Sequence, residues 1–312
     1  MTQLVENKLE KIPLVRVLVR IFQKIKIPGL QGMSLYDVLE MYIIGIVRGA
    51  LTTRAGGIAY SFFMATFPFL LFILTLISYI PIDGFQESML SLLTEVLPPK
   101  TFSAVEVVLT DIVSNQYGGL LSFGFIASIF LMTNGVNAIF GGFEYSYHVE
   151  EVRNVVKAYV VSLATSLVMS FFLLVTVALT VFYSLGLQKL KTEGWLENEW
   201  IWLELGRGVL LFFMIFVIVS MLFYYGTKQG KQSSFFSPGA VLTTILSALT
   251  FYIFSIYVLE FSKYNELYGS IGTLLVIMLF VWLNAIILLL GFELNATIYR
   301  LKCKNKFDLS MR

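Results

Sequence analysis

The run YGSIGTLLVIMLFVWLNAIILLLGFELNA, residues 268–296, decides the fold. It exceeds the ~20 residues that a helix needs to cross ~30 Å of hydrocarbon, and it carries no charge before Glu293. It therefore reads as a transmembrane helix with polarity built into it. The amide of Asn284 lies in the middle and the carboxylate of Glu293 near one end. Both are costly among acyl chains, so both should face protein, water or a ligand.

The rest of the chain agrees with this stretch. Of its 312 residues, 57% are hydrophobic and 13% are charged, and the mean hydropathy is +0.81. These values place it among integral membrane proteins. Long apolar runs predict spans over 56–82, 119–143, 155–187, 203–225, 238–261 and 270–299. The third run is longer than a minimal span and should tilt or project. The expected fold is all-α: a polytopic six-helix transmembrane bundle with amphipathic N-terminal helices and a short helical outer lid. The chain divides into interfacial helices over 1–55, a six-span domain over 56–300 and a basic tail over 301–312. Nearly all of the length goes into spans and short connections, leaving no room for a separate soluble catalytic domain.

Lysine and arginine placement orients the spans, because cytoplasmic connections are enriched in them. Arg16, Arg20, Lys24 and Arg54 precede or open the first span, Lys228 and Lys231 follow the fourth, and Arg300, Lys302, Lys304 and Lys306 follow the sixth. The connections after the first and third spans are acidic instead, with Asp83, Glu87 and Glu95 in one and Glu193, Glu197 and Glu199 in the other. Both termini of this multi-pass protein are thus expected on the cytoplasmic side. No signal peptide is expected, since the apolar stretch over 14–22 is broken by Arg16 and Arg20. Leu14, Leu18, Ile21 and Ile25 share a helical face opposite Arg16, Arg20 and Lys24, the pattern of a helix lying on a membrane surface or packed under the bundle. Ser34-x-x-Asp37 predicts a capping box. Two short helices around Pro98-Pro99 predict the outer lid.

Several spans carry polar or small residues on a face. In the first, Tyr60, Ser61 and Pro68 precede Thr75, with Ser61, Pro68 and Thr75 at heptad spacing. In the second, Ala127, Asn134 and Gly141 form a stripe, with Asn137 and Glu144 beside it. In the sixth, Asn284, Gly291 and Asn295 share a face while Glu293 points nearly opposite. These residues are candidates for lining a substrate path or for close helix packing, and both readings stand. For Glu293 the alternatives are a carboxylate paired with Arg54, Arg153 or Arg300, or a proton or cation relay.

Other chemistry lacks its residues. Cys303 is the one cysteine and His148 the one histidine, and no HExxH, GxSxG or phosphate-loop pattern is present. No metal site, cofactor or catalytic residue is expected, and His148 reads as a solvated loop residue. The small net charge of +2, spread by membrane side, gives no nucleic-acid groove.

The order of Arg54-Ala55-Gly56-Gly57-Ile58-Ala59-Tyr60-Ser61, Phe67-Pro68, Leu97-Pro98, Asn137, Pro238-Gly239-Ala240, Tyr264, Tyr268-Gly269-Ser270 and Gly291-Phe292-Glu293-Leu294-Asn295-Ala296 resembles the YihY/BrkB family of bacterial membrane proteins. The likeness runs from about residue 35 to 300. That family has carried the label ribonuclease BN. Its usual tyrosine-proline pair after the fourth span is replaced here by Tyr225-Gly226-Thr227. The resemblance implies a six-span inner-membrane protein, transporter-like and linked in some members to envelope lipids. Membrane lipids are the expected partners. A transporter or flippase-like protein without its own ATPase is the first functional expectation; a scaffold for envelope-assembly proteins is the alternative, and a ribonuclease the least supported.

Overall fold

The computed structural model describes residues 22–23, 26, 34–79, 86–87, 90, 99–149, 151–192, 199–232, 234–260 and 270–310. They form eight α-helices: α1 Leu35–Arg48, α2 Leu51–Ile77, α3 Pro99–Ser114, α4 Gly118–Glu144, α5 Val155–Thr192, α6 Glu199–Gly226, α7 Pro238–Glu260 and α8 Ser270–Ser310. Among the described residues there is no strand, only an isolated bridge between Lys26 and Ser34. Six helices, α2 and α4 to α8, are long and apolar enough to cross a membrane. The surface helix expected around residues 14–25, with Arg16, Arg20 and Lys24, lies outside the described residues except for 22–23, and the first of the two lid helices, over 92–96, lies outside them as well. The second is α3, which packs on α2 and buries Leu109 and Val113.

The capping box forms as the sequence predicts. The Ser34 hydroxyl accepts from Asp37 N at 3.3 Å, and Ser34 N donates to the Asp37 carboxylate at 2.8 Å. Helix α1 ends at Gly49 and the chain turns into α2 through Ala50, whose φ of 45° and ψ of 49° are left-handed. That conformation is strained for an alanine. It lets α1 fold back under the spans, where it packs on α8.

The six spans form a closed ring in which α2 packs on α4, α4 on α5, α5 on α6, α6 on α7, α7 on α8 and α8 on α2. Small residues set the closest approach. Gly124, Gly135 and Gly142 of α4 lie against Phe72, Phe62 and Ile58 of α2, which is how glycine faces bring membrane helices together. Within the spans Ser61, Thr75, Ser128, Thr133, Thr165 and Thr244 donate to carbonyls four residues earlier. Their hydroxyls are satisfied inside their own helices, and that of Thr133 also meets the Ser166 hydroxyl of α5 at 3.3 Å.

The core is concentrated at the end of the ring holding Arg54, Glu144 and Glu293, here the basic end. Phe143 of α4 stacks on Phe292 of α8 at 4.2 Å between centroids, and Phe223 of α6 meets both edge-on. Gly226 fits here because a Cβ would lie 2.5 Å from the Phe143 ring. Helix α8, 41 residues and so about 61 Å long, continues past its apolar stretch to Ser310.

Candidate functional site

Two polar assemblies sit at the basic end, and both begin from charges the spans cannot leave in lipid. The first is built on Glu293, which has no exposed surface. Arg54 Nη2 meets its Oε1 at 2.6 Å, and the Ser146 hydroxyl donates to Oε2 at 2.8 Å. Arg54 also donates through Nη1 to Gly142 O at 2.8 Å. One guanidinium thereby ties α2, α4 and α8 together. Glycines make room for it: a Cβ on Gly49 would stand 2.7 Å from Arg54 Nη2, and one on Gly45 would stand 3.0 Å from Glu293 Oε2.

His148 closes this assembly from the α4–α5 connection. The expected solvated loop histidine is instead only 3% exposed, because its ring lies between α1, at Gly45 and Met41, and Arg300 of α8. Its Nε2 lies 3.1 Å from Met41 O and its Nδ1 lies 3.4 Å from Arg300 Nη1. Burial holds the imidazole below its ordinary pKa; the Met41 carbonyl and Glu293 pull the other way, and Arg300 adds to the lowering. Tyr147 beside it lies between two guanidiniums, Arg48 at 5.3 Å and Arg300 at 5.4 Å from its ring.

The second assembly is centred on Arg153. Its Nε faces Glu144 Oε1 at 3.6 Å, its Nη2 donates to Tyr225 O, and its Nη1 is buried with no hydrogen-bond partner among the described residues. It stands on the wall of a cavity of about 510 Å³ between α5 and α6. The mouth carries Arg153, Lys157, Lys228 and Lys231. Deeper in, Val160, Val161, Ala164 and Val168 of α5 face Met221 of α6. The α5 residues from Lys157 to Val168 recur three or four apart, so they make one stripe. At 1.5 Å per residue that stripe runs about 16 Å, the depth of one leaflet of a ~30 Å hydrocarbon core. The groove is therefore amphipathic along its length, cationic at the mouth and apolar within.

The polar residues named from the sequence are distributed elsewhere. Tyr60 is exposed, Ser61 bonds its own helix at Gly57 O, and Pro68 is half-buried within α2. Asn134 is half-buried, and Asn137 accepts from Ser162 of α5 at 3.3 Å. Asn284 donates to Phe280 O, one turn earlier in α8. Gly291 lies against Gly239 and Thr243, while Asn295 accepts from Gly239 N and donates to Ser237, both at 2.8 Å. That pair of contacts clamps the start of α7 to α8. None of these residues lines the groove. Asn295 borders a separate cavity of about 20 Å³, room for one water. Among the described residues no three His, Cys, Asp or Glu side chains come together as metal ligands.

Of the groove cations, Lys228 and Lys231 enter the sequence reading as topology signals, and Lys157 does not enter it. Arg153 was a candidate partner for Glu293, but the structure gives Glu293 to Arg54 and Arg153 to Glu144. Arg54, read as interfacial, is buried in that pair with 7% of its side chain exposed.

Comparison with known proteins agrees with the architecture. Residues 45–309 match the family model described as virulence factor BrkB. A Bacillus subtilis protein, YfkH, which carries a ribonuclease-like name, is 32% identical over 259 residues, covering 80% of this chain and 90% of its own. A UPF0761 membrane protein of Vibrio parahaemolyticus is 25% identical over 267 residues, covering 81% and 79%. One of Coxiella burnetii is 24% identical over 246 residues, covering 76% and 84%. No solved structure matches the chain.

Proposed function

The chain belongs to the BrkB family of integral membrane proteins, and we propose that within it this protein is a transporter-like or flippase-like handler of an amphipathic envelope lipid, without an ATPase of its own. The observation that carries this reading is the groove between α5 and α6, which combines a cationic mouth with an apolar wall about one leaflet deep. A headgroup and its chain have the same polarity in the same order. With the positive-inside rule applied, the mouth opens at the cytoplasmic leaflet of the bacterial inner membrane.

In the opposite half of the bundle α8 presents an apolar face outward. On α8, Leu274, Leu275, Ile277, Met278 and Leu279 are all exposed, an arc of roughly 200° at 3.6 residues per turn. At the basic end the Phe143, Phe223 and Phe292 rings fill the centre. A lipid path along the flank of the ring fits this arrangement better than one through its axis.

Proteoliposomes test the proposal. Purified protein is reconstituted with a fluorescent phospholipid, and dithionite bleaching is followed from outside. Bleaching beyond the outer-leaflet fraction is expected, with loss in a variant whose groove is filled by Ala164→Phe. No movement of several envelope phospholipids by folded protein would contradict it.

A scaffold for envelope-assembly proteins is the second reading. It is favoured by the closed setting of Glu293, whose partners Arg54 and Ser146 leave it no exposed surface. A partner recovered in stoichiometric amount by crosslinking, from protein inactive in the liposome assay, would support the scaffold.

A further inference from the structure

We infer that the groove selects an anionic phospholipid, and that Arg153 is the residue that contacts its phosphate. The inference rests on the reading of the groove as a lipid site and adds the headgroup class. Its starting point is an unmet donor. Arg153 is buried, two of its three guanidinium nitrogens are directed to Glu144 and Tyr225 O, and Nη1 has no acceptor among the described residues. A buried donor without a partner is unfavourable, and a guanidinium fork matches the oxygens of a phosphate.

The surrounding charge points the same way. Lys157, Lys228 and Lys231 stand at the mouth with Arg153, and among the described residues the carboxylates paired with these cations are Glu144 and Glu151. Glu144 holds Arg153 in place rather than cancelling the whole cluster. The Lys228–Glu151 pair, at 3.4 Å, is solvent-exposed and easily exchanged for a stronger anion. A zwitterionic headgroup would bring its own ammonium among these lysines. A phosphatidylglycerol-type headgroup brings a phosphate without that repulsion.

Each lysine near an anionic headgroup changes binding by about fivefold. Native mass spectrometry of the full-length protein, titrated with phosphatidylglycerol, phosphatidylcholine or inorganic phosphate, reads the outcome. Phosphatidylglycerol is expected to bind at least tenfold more tightly than phosphatidylcholine, and inorganic phosphate is expected not to displace it. The variant Lys157→Ser/Lys228→Ser/Lys231→Ser is expected to lose most of that preference. Arg153→Lys, which keeps the charge but not the fork, is expected to lose about tenfold. If that variant does not fold, the lysine variant decides alone, because its positions lie at the groove mouth.

Equal binding of the two phospholipids, or an unchanged preference in the lysine variant, would overturn the inference. Displacement of the lipid by inorganic phosphate would mean that the cluster is a site for free phosphate, and would also overturn it. Selective binding without transbilayer movement contradicts the transport reading alone; movement without selective binding contradicts the headgroup assignment alone.

Discussion

Glu293 is a carboxylate with no exposed surface, held against the Arg54 guanidinium. Removing one partner of such a pair leaves the other charge buried, at a cost of about 3–5 kcal/mol. Glu293→Gln should therefore lower the thermal unfolding midpoint in detergent sharply, and Arg54→Gln/Glu293→Gln should recover part of the loss. A midpoint unchanged by Glu293→Gln would contradict the buried pair. His148 makes a prediction of the opposite kind, from pH. Its folded pKa lies below the ordinary 6.5, so its contribution to stability is fully present above that value. The contribution is lost as pH falls, because the unfolded chain takes up the proton first. Acidification through the region below pH 6.5 should destabilise the protein, and His148→Gln should flatten that limb. A pH profile identical in the two proteins would show that the imidazole is not buried neutral.

At the scale of elements, the contact between α7 and α8 depends on two glycines. A Cβ on Gly291 would collide with the Thr243 hydroxyl and approach Gly239 O at 2.7 Å, and one on Gly239 would strike the α8 backbone. Gly291→Ala should reduce folded yield and lower stability by about 1–3 kcal/mol through overpacking, while Gly57→Ala, where a Cβ meets nothing within 4 Å, should be neutral. Equal effects of the two, measured by thermal unfolding, would contradict this packing. Sequence alone reached the elements well. The six spans follow from hydropathy, and Ser34-x-x-Asp37 caps α1 because its spacing is itself the geometry of the motif. What stayed illegible was set by pairing between distant segments. Arg54 and Glu293 are 239 residues apart, and Arg54, Arg153 and Arg300 all stand at the same membrane side as that carboxylate in the sequence. His148 is not legible because a polar loop is normally solvated, whereas this imidazole packs on Met41 of α1 and Arg300 of α8. The groove escaped notice because its lysines also satisfy the positive-inside pattern, and only the α5–α6 contact brings Arg153 and Lys157 to face Lys228 and Lys231.

The whole molecule is a ring of six spans sealed at the basic end by stacked phenylalanines and a buried ion pair, with an amphipathic groove on its flank. Its family membership fixes the kind of protein, and the groove supplies the chemistry of the proposed ligand. Sealing and groove occupy the same end, so a lipid entering from that leaflet meets the flank and not the centre. A photocrosslinking side chain placed at Ala164, inside the groove, and separately at Ile245, an exposed position on α7 outside it, tests this most directly in native membranes. The account predicts that anionic phospholipid is captured preferentially at Ala164 and that this excess disappears when Lys157, Lys228 and Lys231 are replaced by serine. Equal lipid capture at the two positions, or an excess that survives loss of the three lysines, would contradict it.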